Sequence, residues 1–220
     1  DEFDRLWWLR YRNILTSWMM EVWMHEKYQT LSYHIALAYL EEILHQKRYD
    51  TTQLQLVAIA CMYIAIKYEE VRIPNIFEMV QLADGAYTAQ QLREMEIEVL
   101  NMLNWKLHRC TWLHFAFYFF GRGVLFVEDT IGDQPLAAAI VPQMYRHIQT
   151  LANFCAHHYN VLHDHAAPQM AAAFIYASRK TLRVSPSWNS QLTSLTAYAE
   201  AELGDCLTSI HTHCPDPVSL

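Results

Sequence analysis

The sequence predicts an all-α fold arranged as two helical domains in tandem. Only 5 Gly and 7 Pro punctuate 220 residues, too few for the frequent turns of a sandwich or barrel. Apolar residues recur at helical spacing in nearly every long segment, and no strand alternation survives beyond a few residues. An almost wholly apolar segment, LQLVAIACMYIAIKYEE, also has an Ala-rich counterpart, AAPQMAAAFIYASRK, in the second half. In each, an Ala precedes a base by two or three residues, Ala65/Lys67 and Ala177/Lys180. Similarity of this kind over roughly 100 residues points to two copies of one helical domain.

The elements follow in order. Ile14, Leu15, Trp18, Met19 and Val22 give the first helix, about 11–27, its apolar side. Thr30 or Ser32 starts a second through Ile35, Leu37, Tyr39, Leu40 and Leu44. Thr51 and Thr52 offer a cap for the third, from Leu54 to about Tyr68, which is apolar almost all round and so must be surrounded by others. Pro74 marks the turn into a short fourth helix ending near Asp84–Gly85, and Thr88 caps a fifth from Gln90 to about Leu103. In the second half, a helix over Trp112–Phe120 ends at Gly121 and Gly123, and a longer one runs from Pro135 to about His157. A short turn of helix covers Tyr159–Leu162, and Pro168 opens the Ala-rich helix. Two more helices cover Asn189–Tyr198 and Ala199–His211.

Composition narrows the function. A 53% apolar share is ample for real cores and excludes bulk disorder. The net charge of −7 is spread evenly: 11 basic and 15 acidic residues over 1–110, 5 and 8 over 111–220. Such a surface repels phosphate backbones, and no basic stripe is present, so nucleic-acid binding is not expected. Cys61, Cys110, Cys155, Cys206 and Cys214 are odd in number, widely spaced and without a CxxC, the pattern of reduced thiols in an intracellular protein of nucleus or cytoplasm. No apolar run reaches the ~18–20 residues of a membrane span, and Asp1–Asp4 does not begin a signal peptide.

Specific motifs then carry a resemblance. RNILTSWMMEV, residues 12–22, is similar to the opening helix motif of cyclins, M-R-A-I-L-x-D-W-L-x-E-V. The similarity continues collinearly through LQLVAIACMYIAIKYEE, ADGAYT and LREMEIEVLNMLNWKL, over about Tyr11–Thr111. APQMAAAFIYASRK, Trp188–Leu192 and the last helix around Cys206 follow the second repeat more weakly. The chain thus resembles the A/B/E cell-cycle group. The resemblance implies two tandem five-helix cyclin boxes, 11–110 and 111–214, with a lead-in at 1–10 and a tail at 215–220. It implies no catalysis and no cofactor. The implied role is that of a regulatory subunit that binds and activates a cyclin-dependent protein kinase.

Residue by residue, the family's anchoring pair falls on Lys67 and Glu96. Ile64, Tyr68, Glu69, Leu100, Trp105 and Leu107 map onto the surface that receives the kinase. Taken alone, a Lys at the end of an apolar helix is most often a C-terminal charge favoured by the helix dipole. The KYEE context with Glu96 reverses this for Lys67, and Leu100, Trp105 and Leu107 read also as core. Tyr11, Ile14, Leu15 and Trp18 form one helical stripe. In the family this stripe is part of a groove for substrates and inhibitors carrying an Arg-x-Leu motif. Glu21 would pair the ligand's base and Gln55 its backbone, with Leu54 and Leu82 as further walls. The alternative for the stripe is ordinary core. Arg12 and Glu41 map onto a structural ion pair. Tyr11, Asn13 and Ser17 depart from the family's Met, Ala and Asp, and Val71-Arg72-Ile73-Pro74 stands where a Pro-Pro is frequent, so ligand choice and the loop's contacts are expected to differ.

One rival rests on HHYNVLHDH. His157, His158, His163, Asp164 and His165 are metal-ligand types at short spacing, and His163–Asp164 matches the dipeptide of helical metal-dependent phosphohydrolases. That class needs further ligands on other helices, and between 134 and 199 Asp164 is the sole acid. The working expectation is therefore no metal.

Overall fold

The computed structural model describes residues 7–213. Cys214, the tail at 215–220 and the start of the lead-in, with Asp1–Asp4, lie outside the described residues. Two compact units divide between Arg109 and Cys110.

In the first unit, α1 (Leu9–Glu26), α2 (Thr30–Gln46), α3 (Leu54–Glu69), α4 (Ile76–Gln81) and α5 (Ala89–Met102) are joined by short turns, with a 3₁₀ turn at Thr51–Gln53. α3 is the axis and packs against all four others. Its residues Val57–Met62 are fully buried, so an all-round apolar sequence becomes a helix surrounded by others. α1 stops at Lys27, whose left-handed conformation (φ 59°) lets its N–H bond the Trp23 carbonyl. The buried Trp23 indole donates to Gln29 O at 2.9 Å, which fixes the turn into α2. α5 begins with a capping box: Thr88 Oγ1 accepts from Gln91 N, and Gln91 Oε1 accepts from Thr88 N. Asn75 and Glu78 do the same for α4. The Thr51–Thr52 pair makes no cap; both residues lie in the 3₁₀ turn.

In the second unit, α6 (Trp112–Arg122), α7 (Ile140–Ala156), α8 (Tyr159–Asp164), α9 (Ala167–Thr181), α10 (Ser190–Thr196) and α11 (Gly204–His213) follow in order; α6, α7, α10 and α11 pack against α9, and α8 packs against α7 and α11. A 3₁₀ turn at Glu200–Leu203 leads into α11, and the short α8 is the sixth helix among the described residues here. Ala171, Ala172 and Ala173 are fully buried on α9, and such small side chains let neighbouring helices approach closely. α6 ends at Gly123, at φ 101°.

The loops after α6 and α9 form a sheet the sequence did not announce: β1 (Thr130–Ile131) pairs antiparallel with β2 (Gln134–Pro135) and with β3 (Val184–Ser185). Pro135 therefore does not open a helix. It has no N–H to give and sits on the edge strand, opposite Thr130, and α7 starts at Ile140. The base matched to Lys67 by sequence, Lys180, is exposed, whereas its neighbour Arg179 is fully buried.

Arg179 explains the sheet. Its Nη1 and Nη2 grip Asp129 Oδ2 and Oδ1, each at 2.7 Å. The remaining N–H groups go to the carbonyls of Val124 (2.6 Å), Pro186 (2.6 Å) and Ser187 (3.2 Å). One guanidinium thus ties both loops of the sheet to α9 with every donor used.

Candidate functional site

The residues that the resemblance maps onto a partner's surface come from the end of α3, from α5 and from the segment after it. Lys67 Nζ forms an ion pair with the Glu96 carboxylate, 29 residues away. The ammonium also sits 4.0 Å from the centroid of the Tyr63 ring, one helical turn earlier. Burial pulls the Lys67 amine below the usual lysine range. The side chains are 34% and 14% exposed, so the pair is held yet still open to solvent. Beside it, Tyr68 is exposed and its hydroxyl lies 3.5 Å from His108 Nδ1. Glu69 is half-buried.

Trp105 is 64% exposed, and it is held there by the backbone. Asn104 (φ 51°) and Trp105 (φ 58°) are both left-handed, and the Trp105 N–H returns to Leu100 O at 3.0 Å, closing α5. A bulky residue in that conformation is strained, and strain of this kind collects at functional surfaces. The indole Nε1 donates to Asn101 Oδ1 at 3.3 Å. Leu107 is half-buried, and its carbonyl accepts from the Tyr39 hydroxyl at 2.5 Å. Ile64 and Leu100, at 2% and 9% exposure, lie in the core beneath this surface.

The stripe on α1 divides in the same way. Ile14 (69% exposed) and Glu21 face solvent, Tyr11 and Trp18 are half-buried, and Leu15 is buried. Tyr11 carries the Arg10 guanidinium over its ring at 5.0 Å. Gln55 and Leu82 are half-buried and Leu54 is buried. Leu15 and Leu54 are thus closed to solvent, whereas Ile14, Trp18, Gln55 and Leu82 keep exposed surface. Beneath the stripe, Arg12 Nε and Nη2 donate to Glu41 Oε1 at 2.9 and 2.7 Å, a pair sealed from solvent.

Sequence reasoning missed Glu70. Its carboxylate accepts from Gln29 N at 2.7 Å and from the Ser32 hydroxyl, tying the segment that follows Lys67 to the α1–α2 turn. The doubled acid after Tyr68 was the available signal.

The histidines have separate partners. The His158 ring lies tilted against His213 with centroids 4.3 Å apart, His163 against Tyr159 at 4.2 Å, and His165 bonds the Ser209 hydroxyl at 2.8 Å. Among the described residues, no group of three or more His, Cys, Asp or Glu is placed to hold a metal ion. The phosphohydrolase centre considered for His157–His165 is not assembled there. No helix of the described residues is long and apolar enough to cross a membrane.

Comparison with known proteins gives matching results for both units. Residues 4–108 match the family described as Cyclin, N-terminal domain, and residues 133–219 match Cyclin, C-terminal domain. The chain is 31% identical over 203 residues to the G2/mitotic-specific cyclin S13-7 of Glycine max, covering 90% of this chain and 70% of that one. It is 30% identical over 195 residues to Cyclin-B1-1 of Arabidopsis thaliana, covering 89% of this chain but only 42% of that one. The chain thus spans less than half of that longer relative. A viral cyclin from herpesvirus saimiri superposes with a TM-score of 0.75 at 16% identity, covering 96% of this chain and 87% of that one. A chain of the yeast TFIIK (Kin28/Ccl1/Tfb3) complex gives 0.66 at 14%, covering 93% and 85%.

Proposed function

The chain belongs to the cyclin family, and from that premise we propose that it binds and activates a cyclin-dependent protein kinase in the control of cell-cycle progression. Cyclins are regulatory subunits of kinases rather than enzymes. The boxes are taken as residues 11–110 and 111–214, and the site of action as the nucleus or cytoplasm. The observation that carries the proposal is the part-exposed Lys67–Glu96 pair, together with the exposed Tyr68 and Trp105. An ammonium oriented by a carboxylate, with large apolar side chains around it, has the make-up of an interface centre. Lys67 can reach backbone carbonyls of the kinase while Glu96 holds it, and Glu69 and Leu107 complete the contact over the buried Ile64 and Leu100.

The finer part concerns recruitment. The α1 stripe, with Gln55 and Leu82, takes Arg-x-Leu segments of substrates or inhibitors, Glu21 pairing the Arg and the surface over Leu15 and Leu54 taking the Leu. Neither nucleic acid nor a membrane is a partner in this reading.

The test is capture of a kinase from cell extract on the immobilised chain, followed by histone phosphorylation. Wild-type protein retains an active kinase. Lys67→Ala with Glu96→Ala loses both the kinase and the labelling with the fold intact, and an active complex from the double variant overturns the assignment. Trp18→Ala weakens labelling only of substrates that carry the motif; equal loss on all substrates removes the groove.

A further inference from the structure

The second unit holds a cavity of about 570 Å³ between the last turn of α6, the loop that follows it and α10. Its walls are held from behind. Arg179 donates to the Val124 carbonyl at 2.6 Å and Asp129 accepts from Phe126 N at 2.8 Å, which fixes the loop. Asn189 Oδ1 accepts from Leu192 N at 2.9 Å and the Trp188 indole donates to Thr193 Oγ1 at 3.1 Å, which fixes α10. A cavity bonded in this way is formed before a ligand enters, so little ordering opposes binding.

Among the described residues that line it, Arg122 carries the one charge, and Ser190, Gln191 and Ser194 add polar side chains. None of these four side chains hydrogen-bonds another described residue, and Arg122 has no ion pair among them. Acids outnumber bases 8 to 5 over residues 111–220, yet no acid lines the cavity. Asp129, on the adjoining loop, is buried on Arg179, and its exposed neighbour Glu128 lies outside the lining. Tyr118, which is 59% exposed, Phe126 and Leu195 give the same cavity its large apolar side chains.

We propose that this cavity docks a segment of a partner protein in which a glutamate stands between large aliphatic side chains. Arg122 takes the carboxylate, with Ser190, Gln191 and Ser194 as further donors, and Tyr118, Phe126 and Leu195 receive the aliphatic neighbours. One guanidinium with neutral donors around it matches the single charge of a carboxylate, whereas a phosphate dianion calls for a second base. The volume falls in the range of about 300–1,000 Å³ that takes several groups of a ligand at once, so the aliphatic side chains enter with the acid. This surface belongs to the second unit alone and depends neither on the α1 stripe nor on Lys67.

NMR titration of the full chain, labelled with nitrogen-15, tests it with the capped peptide Gly-Leu-Glu-Leu-Gly and the same peptide with Gln or phosphoserine for Glu. The Glu peptide moves the signals of Arg122 Nε, Gly123, Gln191 and Ser194, and binds about fivefold more tightly than the Gln peptide, the size of an exposed ion pair. That preference shrinks at 0.5 M salt. Arg122→Gln abolishes it and leaves the affinity of the Gln peptide unchanged. Ser194→Asp, which sets a carboxylate in the cavity, makes the Glu peptide the weaker of the two, and Tyr118→Ala weakens both. In each variant the rest of the spectrum reports that the fold is retained. Equal affinity for Glu and Gln, no binding of either, or shifts centred on other residues overturns the proposal. A preference that survives Arg122→Gln places the carboxylate elsewhere and overturns it too, and a phosphoserine peptide that binds far more tightly than the Glu peptide overturns the choice of ligand.

Discussion

The two units each bury an arginine against a carboxylate, but in different ways. In the first, Arg12 sets two donors on one oxygen of Glu41, with side chains 2% and 8% exposed. In the second, Arg179 grips both oxygens of Asp129, uses three loop carbonyls as well, and is 0% exposed against 1% for Asp129. Asp129 also accepts from Phe126 N at 2.8 Å. The first is a pair between two helices; the second organises a sheet and two loops. Neither resembles Lys67–Glu96, where a lysine, a compact charge on a flexible stem, stays open to solvent. Buried arginine forks fix the scaffolds, whereas the accessible lysine remains available to a partner.

The largest expected effect follows from Arg179. Removing one member of a buried pair leaves an uncompensated charge, which costs about 3–5 kcal/mol. Arg179→Met alone should fall at the upper end, seen as a lowered urea midpoint of the second unit, reported by Trp112 and Trp188 fluorescence. Arg179→Met with Asp129→Leu should not recover it, because the Val124, Pro186 and Ser187 carbonyls and the Phe126 N–H still lose their partner. Full recovery in that double variant would show that Arg179 acts only as a counter-ion.

Arg12→Met comes next, at about 3 kcal/mol, for the same reason. Here the double change with Glu41→Leu should regain most of the loss, since a well-packed apolar pair can replace a buried ionic one. The contrast between the two double variants, measured by urea unfolding, is the sharpest test of pair against organiser.

These pairs also mark how far the sequence could be read. The helices of the first unit were legible because each rests on local signals: the period of LQLVAIACMYIAIK, and Thr88 with Gln91 three residues on. Arg12 with Glu41 was reached only through the family motif. Arg179 with Asp129 was not reached at all, because 50 residues separate them and no periodicity links a loop acid to a helix base. The misplaced start at Pro135 has the same origin: a proline that opens a helix and one on an edge strand look alike until the partner strand is known. At the candidate site, the positions of Lys67, Glu96 and Trp105 were legible from the motif. Which residues of the α1 stripe stay exposed depends on packing, as does the Glu70 clamp.

Lys67→Ala should move stability little. A pair of this exposure contributes at most about 1 kcal/mol, so the thermal midpoint should shift by only a few degrees. A collapse like that of Arg179→Met would mean that Lys67 holds the fold, and loss of kinase binding would then say nothing of an interface.

The smallest effect tests the same contrast through pH. Glu98 on α5 is drawn upward by burial, but hydrogen bonds from Lys47 Nζ (2.7 Å) and the Tyr49 hydroxyl (2.5 Å) more than offset this and hold its carboxyl below the usual range. A carboxylate depressed in the folded state contributes stability above the unfolded glutamate pKa, about 4.3, and loses it as pH falls through the lower folded value. Glu98→Gln keeps an acceptor and removes only the charge. At pH 7 it should therefore cost well under about 1 kcal/mol, because solvent screens a pair whose side chains are 49% and 36% exposed. The gap between variant and wild type should close as pH falls below about 4. A gap that stays constant from pH 7 to pH 3 would show that the loss in Glu98→Gln does not come from the charge on Glu98.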